Sequence, residues 1–169
     1  INWLPVDGSR LVSSVDLQSV QVFNDTFGLP DGDQARFRKY VEAVEKDPTI
    51  ADKIDSTTQV YDPEFCMYMR CRPDAQGYAH AMQVFPTGDA GYVSFRTREL
   101  PNAVRWYART GDEDALAFAI PATNDHLGFT RNAARGLIRE IPARSTFEMQ
   151  YRFGYLSSAQ AQIVEQTIR

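Results

Sequence analysis

The sequence predicts a mainly β domain: an antiparallel β-sandwich with one inserted helix and a short C-terminal helix. Two observations carry that reading. Strand-like runs recur from Thr57 onward at the spacing of about 8–12 residues typical of sandwiches and barrels, with Gly- and Pro-containing turns between them. Only two stretches place apolar residues at the 3.6-residue period of a helix.

Taken in order, residues 1–26 read as extended chain with a turn at Asp7-Gly8-Ser9, and Asp16 to Val22 partly alternates. Gly28, Pro30, Asp31, Gly32 and Asp33 form a break. Asp31 or Asp33 is placed to cap the next element, a helix in which Phe37, Tyr40, Val41 and Val44 fall at i, i+3, i+4 and i+7; Pro48 ends it. Thr49 to Ser56 is polar and irregular. Strands are predicted at Phe65–Arg72, Tyr78–Phe85, Tyr92–Arg98, Ala103–Ala108, Leu116–Ile120, Gly136–Ile141 and Thr146–Tyr155. A closing helix starts at Ser157 or Ser158, with Ala161, Val164 and Ile168 on its apolar side. No repeat or linker interrupts residues 1–169, which read as a single domain.

Composition bounds the function classes. The 169 residues are 43% hydrophobic and 24% charged, enough for one core and ordinary for a globular chain. A net charge of −4 argues against nucleic acid and anionic membrane as partners, because both select a basic excess. The tightest basic group, Arg36, Arg38 and Lys39, sits on the predicted helix and reads as a solvated face. Apolar runs are too short for a membrane span, and no signal peptide is visible. Cys66 and Cys71 stand an odd number of residues apart in one strand-like run, so they face opposite ways and do not pair. Two isolated thiols fit a reducing, cytoplasmic compartment.

Phosphate-loop, dinucleotide, nucleophile-elbow and zinc motifs are missing, and no His, Cys, Asp and Glu cluster suggests a metal. The acidic turn Gly111-Asp112-Glu113-Asp114 lacks the donor spacing of a calcium loop. His126, in a polar loop after Pro121-Ala122-Thr123, and His80, within a strand, are the candidates for acid–base catalysis near neutral pH. A histidine in a strand equally serves as a hydrogen-bonded structural residue. Rings beside polar side chains suit sugars, whose C–H faces stack on aromatics while their hydroxyls seek amides and guanidinium groups. Trp3, Tyr78, Trp106 and Tyr107, with Asn2, Gln83, Arg105 and Arg109, supply such combinations, although rings in a β-sandwich also simply pack.

One ordered set of segments carries a family likeness. It runs Leu100-Pro101, Arg105-Trp106, Pro121-Ala122-Thr123, Gly128, Ala133-Ala134-Arg135-Gly136, Ile141-Pro142-Ala143, the alternating Phe147 to Tyr151, and Gly154-Tyr155-Leu156. This resembles the C-terminal region of galactose-mutarotase-like proteins (aldose 1-epimerases). The opening Ile1 to Ser9 resembles the segment just after that family's central histidine, which would lie immediately before Ile1. The resemblance implies a large sandwich of which this chain is the C-terminal part, completed by an N-terminal portion or a second chain. It implies a sugar or sugar derivative as ligand, with Asn2, Gln83, Arg105, Trp106 and Thr123 binding it. It implies isomerisation by a glutamate and a histidine without any cofactor, or a non-catalytic sugar-binding or accessory module on the same scaffold. The pattern departs at Ile120, where the family's glutamate is expected; Glu113 and Asp125 are the neighbouring carboxylates.

Overall fold

The computed structural model describes residues 3–23, 31–55, 61–109 and 114–168. The strands are β1 (Arg10–Ser13), β2 (Gln21–Phe23), β3 (Tyr61–Arg70), β4 (Tyr78–Val84), β5 (Ala90–Arg96), β6 (Asn102–Arg109), β7 (Asp114–Ala122) and β8 (Tyr151–Leu156). Helices α1 (Asp31–Lys46), α2 (Phe129–Ala134) and α3 (Ser158–Ile168) complete the regular structure, with short 3-10 turns at Leu17–Ser19 and Pro48–Asp52. Two four-stranded antiparallel sheets face each other: β1-β4-β5-β8, here the front sheet, and β2-β3-β6-β7, the back sheet. The fold is the predicted β-sandwich, with α1 as the expected inserted helix and α3 as the expected terminal one, and with α2 as a further short helix that was not expected.

Alternation decides which side chains meet between the sheets. Ala79, Ala81, Val93 and Phe95 of the front sheet pack with Phe65, Met67, Met69, Ala103, Tyr107 and Leu116 of the back sheet. Trp3 closes one end, its backbone bridged to Leu116 and its ring 5.6 Å from that of Phe118. Gly91 permits this, because a Cβ there would lie 2.7 Å from the indole.

The two sheets are offset. At the β2–β3 end the back sheet extends past the front one, and α1 covers the overhang. Phe37, Val41 and Val44 are buried there, and the Tyr40 ring lies 5.2 Å from Phe65. Burial of a large apolar side chain contributes about 1.5–3 kcal/mol, against a few tenths for a surface i,i+4 pair, so the stripe holds α1 in place. The side chains of Asp31 and Asp33, predicted to cap α1, lie outside the described residues. At the opposite end the front sheet overhangs through β8, and Tyr151, Phe153 and Tyr155 on its inner side remain exposed.

α3 packs on the outer face of the front sheet, where Ala161, Val164 and Ile168 meet Met82, Val84 and Leu156. Its start is the capping pattern expected of Ser157: the Ser157 N–H and hydroxyl both donate to Oε1 of Gln160, at 2.9 and 3.0 Å. Neither Cys66 nor Cys71 is in a disulfide. Cys71 packs against the inter-sheet core, and burial pushes its thiol pKa up to about 12.

Three segments differ from expectation. Asp16 to Val22 is a 3-10 turn followed by a three-residue strand, because the Asp16 carboxylate accepts the Gln18 N–H and starts the turn. Gly136–Ile141 is irregular. It comes after α2, which has no apolar periodicity to announce it, and α2 ends in a Schellman arrangement. There Gly136, at φ 68°, donates to the Ala133 carbonyl and Leu137 N–H to that of Asn132. Within Thr146–Tyr155 only the part from Tyr151 onward pairs as a strand, against β5.

Candidate functional site

The outer face of the back sheet gathers the polar and aromatic groups. Register places Gln21, Tyr68 and Val104 in one cross-strand row and Phe23, Cys66 and Trp106 in the next, about 7 Å along the strands. Arg70 and Asn102 form the row on the other side. The 3-10 turn after β1 and the C-terminal end of α2 rise over this face. Together they enclose a cleft of about 310 Å³ lined by Asp16, Gln18, Ser19, Gln21, Tyr68, Arg70 and Arg135.

Local structure fixes most of these groups. Ser19 Oγ donates to the Asp16 carbonyl at 2.6 Å and accepts from the Arg70 N–H at 2.7 Å, tying the turn to β3. The Tyr68 hydroxyl donates to Asn102 Oδ1 at 2.6 Å, and Asn102 Nδ2 holds the Thr123 carbonyl at 2.9 Å. Trp106 is half-buried, with its indole N–H donated to the Glu64 carboxylate, which pins the ring plane on this face. The His126 ring is exposed and meets the Phe23 ring edge-on at 3.9 Å.

The loop carrying His126 is braced from beneath. Asn132 is fully buried; its Oδ1 accepts the Asp125 N–H, and its Nδ2 donates to the carbonyls of Asp125 and Gly128. The Asp125 carboxylate accepts the Leu127 N–H at 2.9 Å and pairs with Arg135. Burial alone would raise the Asp125 pKa, but the Leu127 N–H, Asn132 and Arg135 outweigh it and hold the carboxyl below its usual range.

Trp106, Thr123 and His126 therefore lie around one face. His80 does not join them: it projects from the outer face of the front sheet. Its Nε2 is 2.8 Å from Asp74 Oδ2 and its Nδ1 2.7 Å from the Tyr92 hydroxyl. An ionised carboxylate only accepts, so Nε2 carries the proton donated to Asp74, and in the neutral ring Nδ1 accepts from Tyr92. Asp74 Oδ1 also accepts the Gln76 and Tyr78 N–H groups, so this chain of bonds anchors the turn before β4. Burial again pushes against the charge, while the Tyr78 N–H, His80 and the Gln76 N–H together hold the Asp74 pKa below the ordinary value.

Arg105 and Gln83 are buried between the sheets. Arg105 pairs with Asp52, and Gln83 Nε2 donates to the Leu4 carbonyl at 3.1 Å. Tyr107 is buried with them, Tyr78 is stacked under Arg96 and Arg152, and Arg109 pairs with Asp114 and Asp7. Asn2 and Glu113 lie outside the described residues. Sequence reasoning missed the cleft-lining Arg70 and the Trp106 partner Glu64. Their signal was the i, i+2 alternation of Glu64, Cys66, Tyr68 and Arg70, which puts all four on one side of β3.

Two depressed carboxylates give a direct acid test. Asp74 and Asp125 each have a folded-state pKa below the unfolded value of about 3.9. Each contributes stability that is fully present above that pH and is lost as pH falls through the folded value. Thermal unfolding should hold its midpoint down to about pH 5 and drop steeply below about pH 4. Asp125→Asn and Asp74→Asn should each shallow that drop.

With two antiparallel four-stranded sheets packed face to face, an outer-face cleft and α1 packed on one overhang, the chain is a two-layer β-sandwich. Among solved structures, a putative aldose 1-epimerase from Klebsiella pneumoniae subsp. pneumoniae superposes with a TM-score of 0.77 over 99% of this chain, at 17% identity. The chain spans 40% of that protein's length. No protein-family model and no curated protein sequence matches it. Among the described residues, no group of three His, Cys, Asp or Glu side chains is placed to hold a metal ion, and no helix is long and apolar enough to cross a membrane.

Proposed function

We propose that this chain recognises a sugar or sugar derivative on the outer face of the back sheet, as part of an aldose-1-epimerase-like isomerase. The observation that supports it is the pairing of a pinned indole, Trp106, with a polar cleft on the same sheet face. The cleft offers the guanidinium groups of Arg70 and Arg135, the Gln18 and Gln21 amides and the Asp16 carboxylate to hydroxyls, while the indole offers a plane to ring C–H groups. In this reading Trp106 and Thr123 border the sugar, and His126 is the acid–base group that exchanges a proton with it. The reaction moves protons within one sugar molecule, so it calls for no redox partner.

A second reading, a non-catalytic sugar-binding or accessory module, is favoured by Ile120. It pairs with Val104 on this face and is 41% exposed, and its side chain accepts no proton.

Polarimetry on freshly dissolved α-D-glucose and α-D-galactose, with calorimetry on the same sugars, separates the readings. Faster mutarotation that is lost in His126→Ala supports the isomerase. Saturable binding with unchanged rotation supports the module. In either case Trp106→Ala should weaken binding about tenfold or more, roughly 1.4 kcal/mol. Neither binding nor acceleration with these sugars and their 6-phosphates would sink both readings.

A further inference from the structure

The outer face of the front sheet carries a second organised set of side chains, which sugar recognition on the back sheet does not use. Where the cover of α3 ends, two cross-strand rows follow: Met82, Tyr92 and Gly154, then His80, Ser94 and Arg152. The chain of bonds from Asp74 through His80 to Tyr92 lies across them. The Tyr92 hydroxyl stands 2.7 Å from His80 Nδ1, and His80 Nε2 stands 2.8 Å from Asp74 Oδ2. The imidazole and carboxylate are only 12% and 11% exposed. A hydroxyl in reach of a base that a third group orients is the arrangement of nucleophilic catalysis. Anchoring the turn before β4 accounts for the Asp74 bonds to backbone N–H groups. It does not account for Tyr92, whose strand is already paired with β4 along its whole length.

Three features beside Tyr92 point to a ligand. Gly154 faces it from β8, and a Cβ there would meet no atom within 4 Å, so open space adjoins the phenol between Arg152 and Leu156. Ser94 is wholly buried and close to Tyr92, yet its hydroxyl is in hydrogen-bond geometry with no partner. A buried hydroxyl left so costs stability unless something bound completes it. Arg152 meets the Tyr78 ring and hydroxyl and, among the described residues, no carboxylate.

We propose that Tyr92, His80 and Asp74 form a second catalytic centre, which transfers the acyl group of a carboxylic ester seated over Gly154. Tyr92 Oη attacks the ester carbonyl while its proton passes to His80 Nδ1, and the Asp74 carboxylate holds the imidazolium that forms. Arg152 faces the oxyanion. Collapse breaks the ester C–O bond; the departing alkoxide takes the proton from His80, and the acyl group stays on Tyr92. Water then attacks this aryl ester with His80 again as base, releasing the carboxylic acid and restoring the phenol. Burial raises the Tyr92 pKa, so the hydroxyl is protonated at neutral pH and needs a base at the moment of attack. Met82, Leu156 and Val164 beside Tyr92 suit an acyl chain and would leave a phosphate poorly solvated. The centre lies on the opposite outer face from Trp106 and His126, so it stands whether or not a sugar binds there.

The test is p-nitrophenyl acetate added to the full chain, quenched in acid and mapped by mass spectrometry. Acetyl should reach Tyr92 about tenfold or more faster than Tyr151 and Tyr155, which are 45% and 63% exposed. His80→Gln should slow acetylation of Tyr92 about a hundredfold. Gly154→Leu fills the open space from an ordinary strand position and leaves the three-residue chain of bonds in place. Circular dichroism checks that it is folded, and it should slow the acetylation of Tyr92 about tenfold or more. Acetylation of Tyr92 no faster than of the two exposed tyrosines, or a rate unchanged by His80→Gln or by Gly154→Leu, would each overturn the proposal.

Discussion

Arg105→Ala is expected to lower the unfolding free energy by about 3–5 kcal/mol, the cost of breaking a buried ion pair by removing one partner. The guanidinium lies wholly inside the sandwich, 2.7 Å from Asp52 Oδ1, 3.2 Å from the Ala51 carbonyl and 3.3 Å from Ser13 Oγ. It thus ties β6, β1 and the 3-10 turn after α1 to one point. Burial opposes its charge, but Tyr107 and the Asp52 carboxylate more than offset that, so its pKa is raised and it stays charged at every accessible pH. Alanine removes four hydrogen bonds, to Asp52, Ser13 and the Ala51 and Phe118 carbonyls, and leaves a cavity, although the Ala51 carbonyl keeps the Tyr107 hydroxyl as a donor. Asp52 is partly exposed and can turn to water, so Arg105→Met, which refills the volume, should recover part of the loss. Urea unfolding of the two variants checks this; equal losses would mean that the cavity is irrelevant and the charge pair is everything.

That same residue shows where the sequence was legible and where it was not. Alternation and turn residues revealed the strands, most cleanly in β5, where Val93 and Phe95 face the second sheet between Tyr92, Ser94 and Arg96. The same alternation put Arg105 on one side of β6 and Trp106 on the other. Which side faces the second sheet is a tertiary fact, and the resemblance to a sugar-binding family set both residues among the ligand contacts. Gln83 carries the same lesson: a polar side chain in an apolar strand reads as a candidate contact until its partners, the Leu4 carbonyl and Ser9, are seen to lie 79 and 74 residues away. His80 and His126 were chemically equivalent in the sequence and stand on opposite outer faces of the sandwich. The α2 loop escaped notice because its organiser, Asn132, works through backbone groups that carry no sequence signature.

Asn132→Ala should therefore act on both stability and function. The amide makes three hydrogen bonds to the backbone of residues 125 and 128 from a site with no solvent exposure, so truncation strands the Asp125 carbonyl and N–H in the interior, while the Gly128 carbonyl keeps the backbone N–H of residue 132. At about 1–3 kcal/mol for each buried group left without a partner, and some relief as water enters, the expected loss is roughly 3 kcal/mol. The functional effect comes from position: the same bonds hold Asp125, which pairs with Arg135 at the cleft and immediately precedes His126. Loosening the loop should weaken sugar binding and slow any acceleration that depends on His126, whereas Arg105→Ala should leave the affinity of the fraction still folded nearly unchanged. Asn132→Asp keeps the acceptor for the Asp125 N–H but sets a buried carboxylate against the Asp125 and Gly128 carbonyls, so it should lose at least as much stability as alanine. Calorimetric titration below the unfolding midpoint, run on all three variants, measures the separation. If Asn132→Ala binds sugar as tightly as wild type while losing the expected stability, then the loop that carries His126 forms no part of the binding face, and the sugar site contracts to Trp106 and the cleft beside Tyr68.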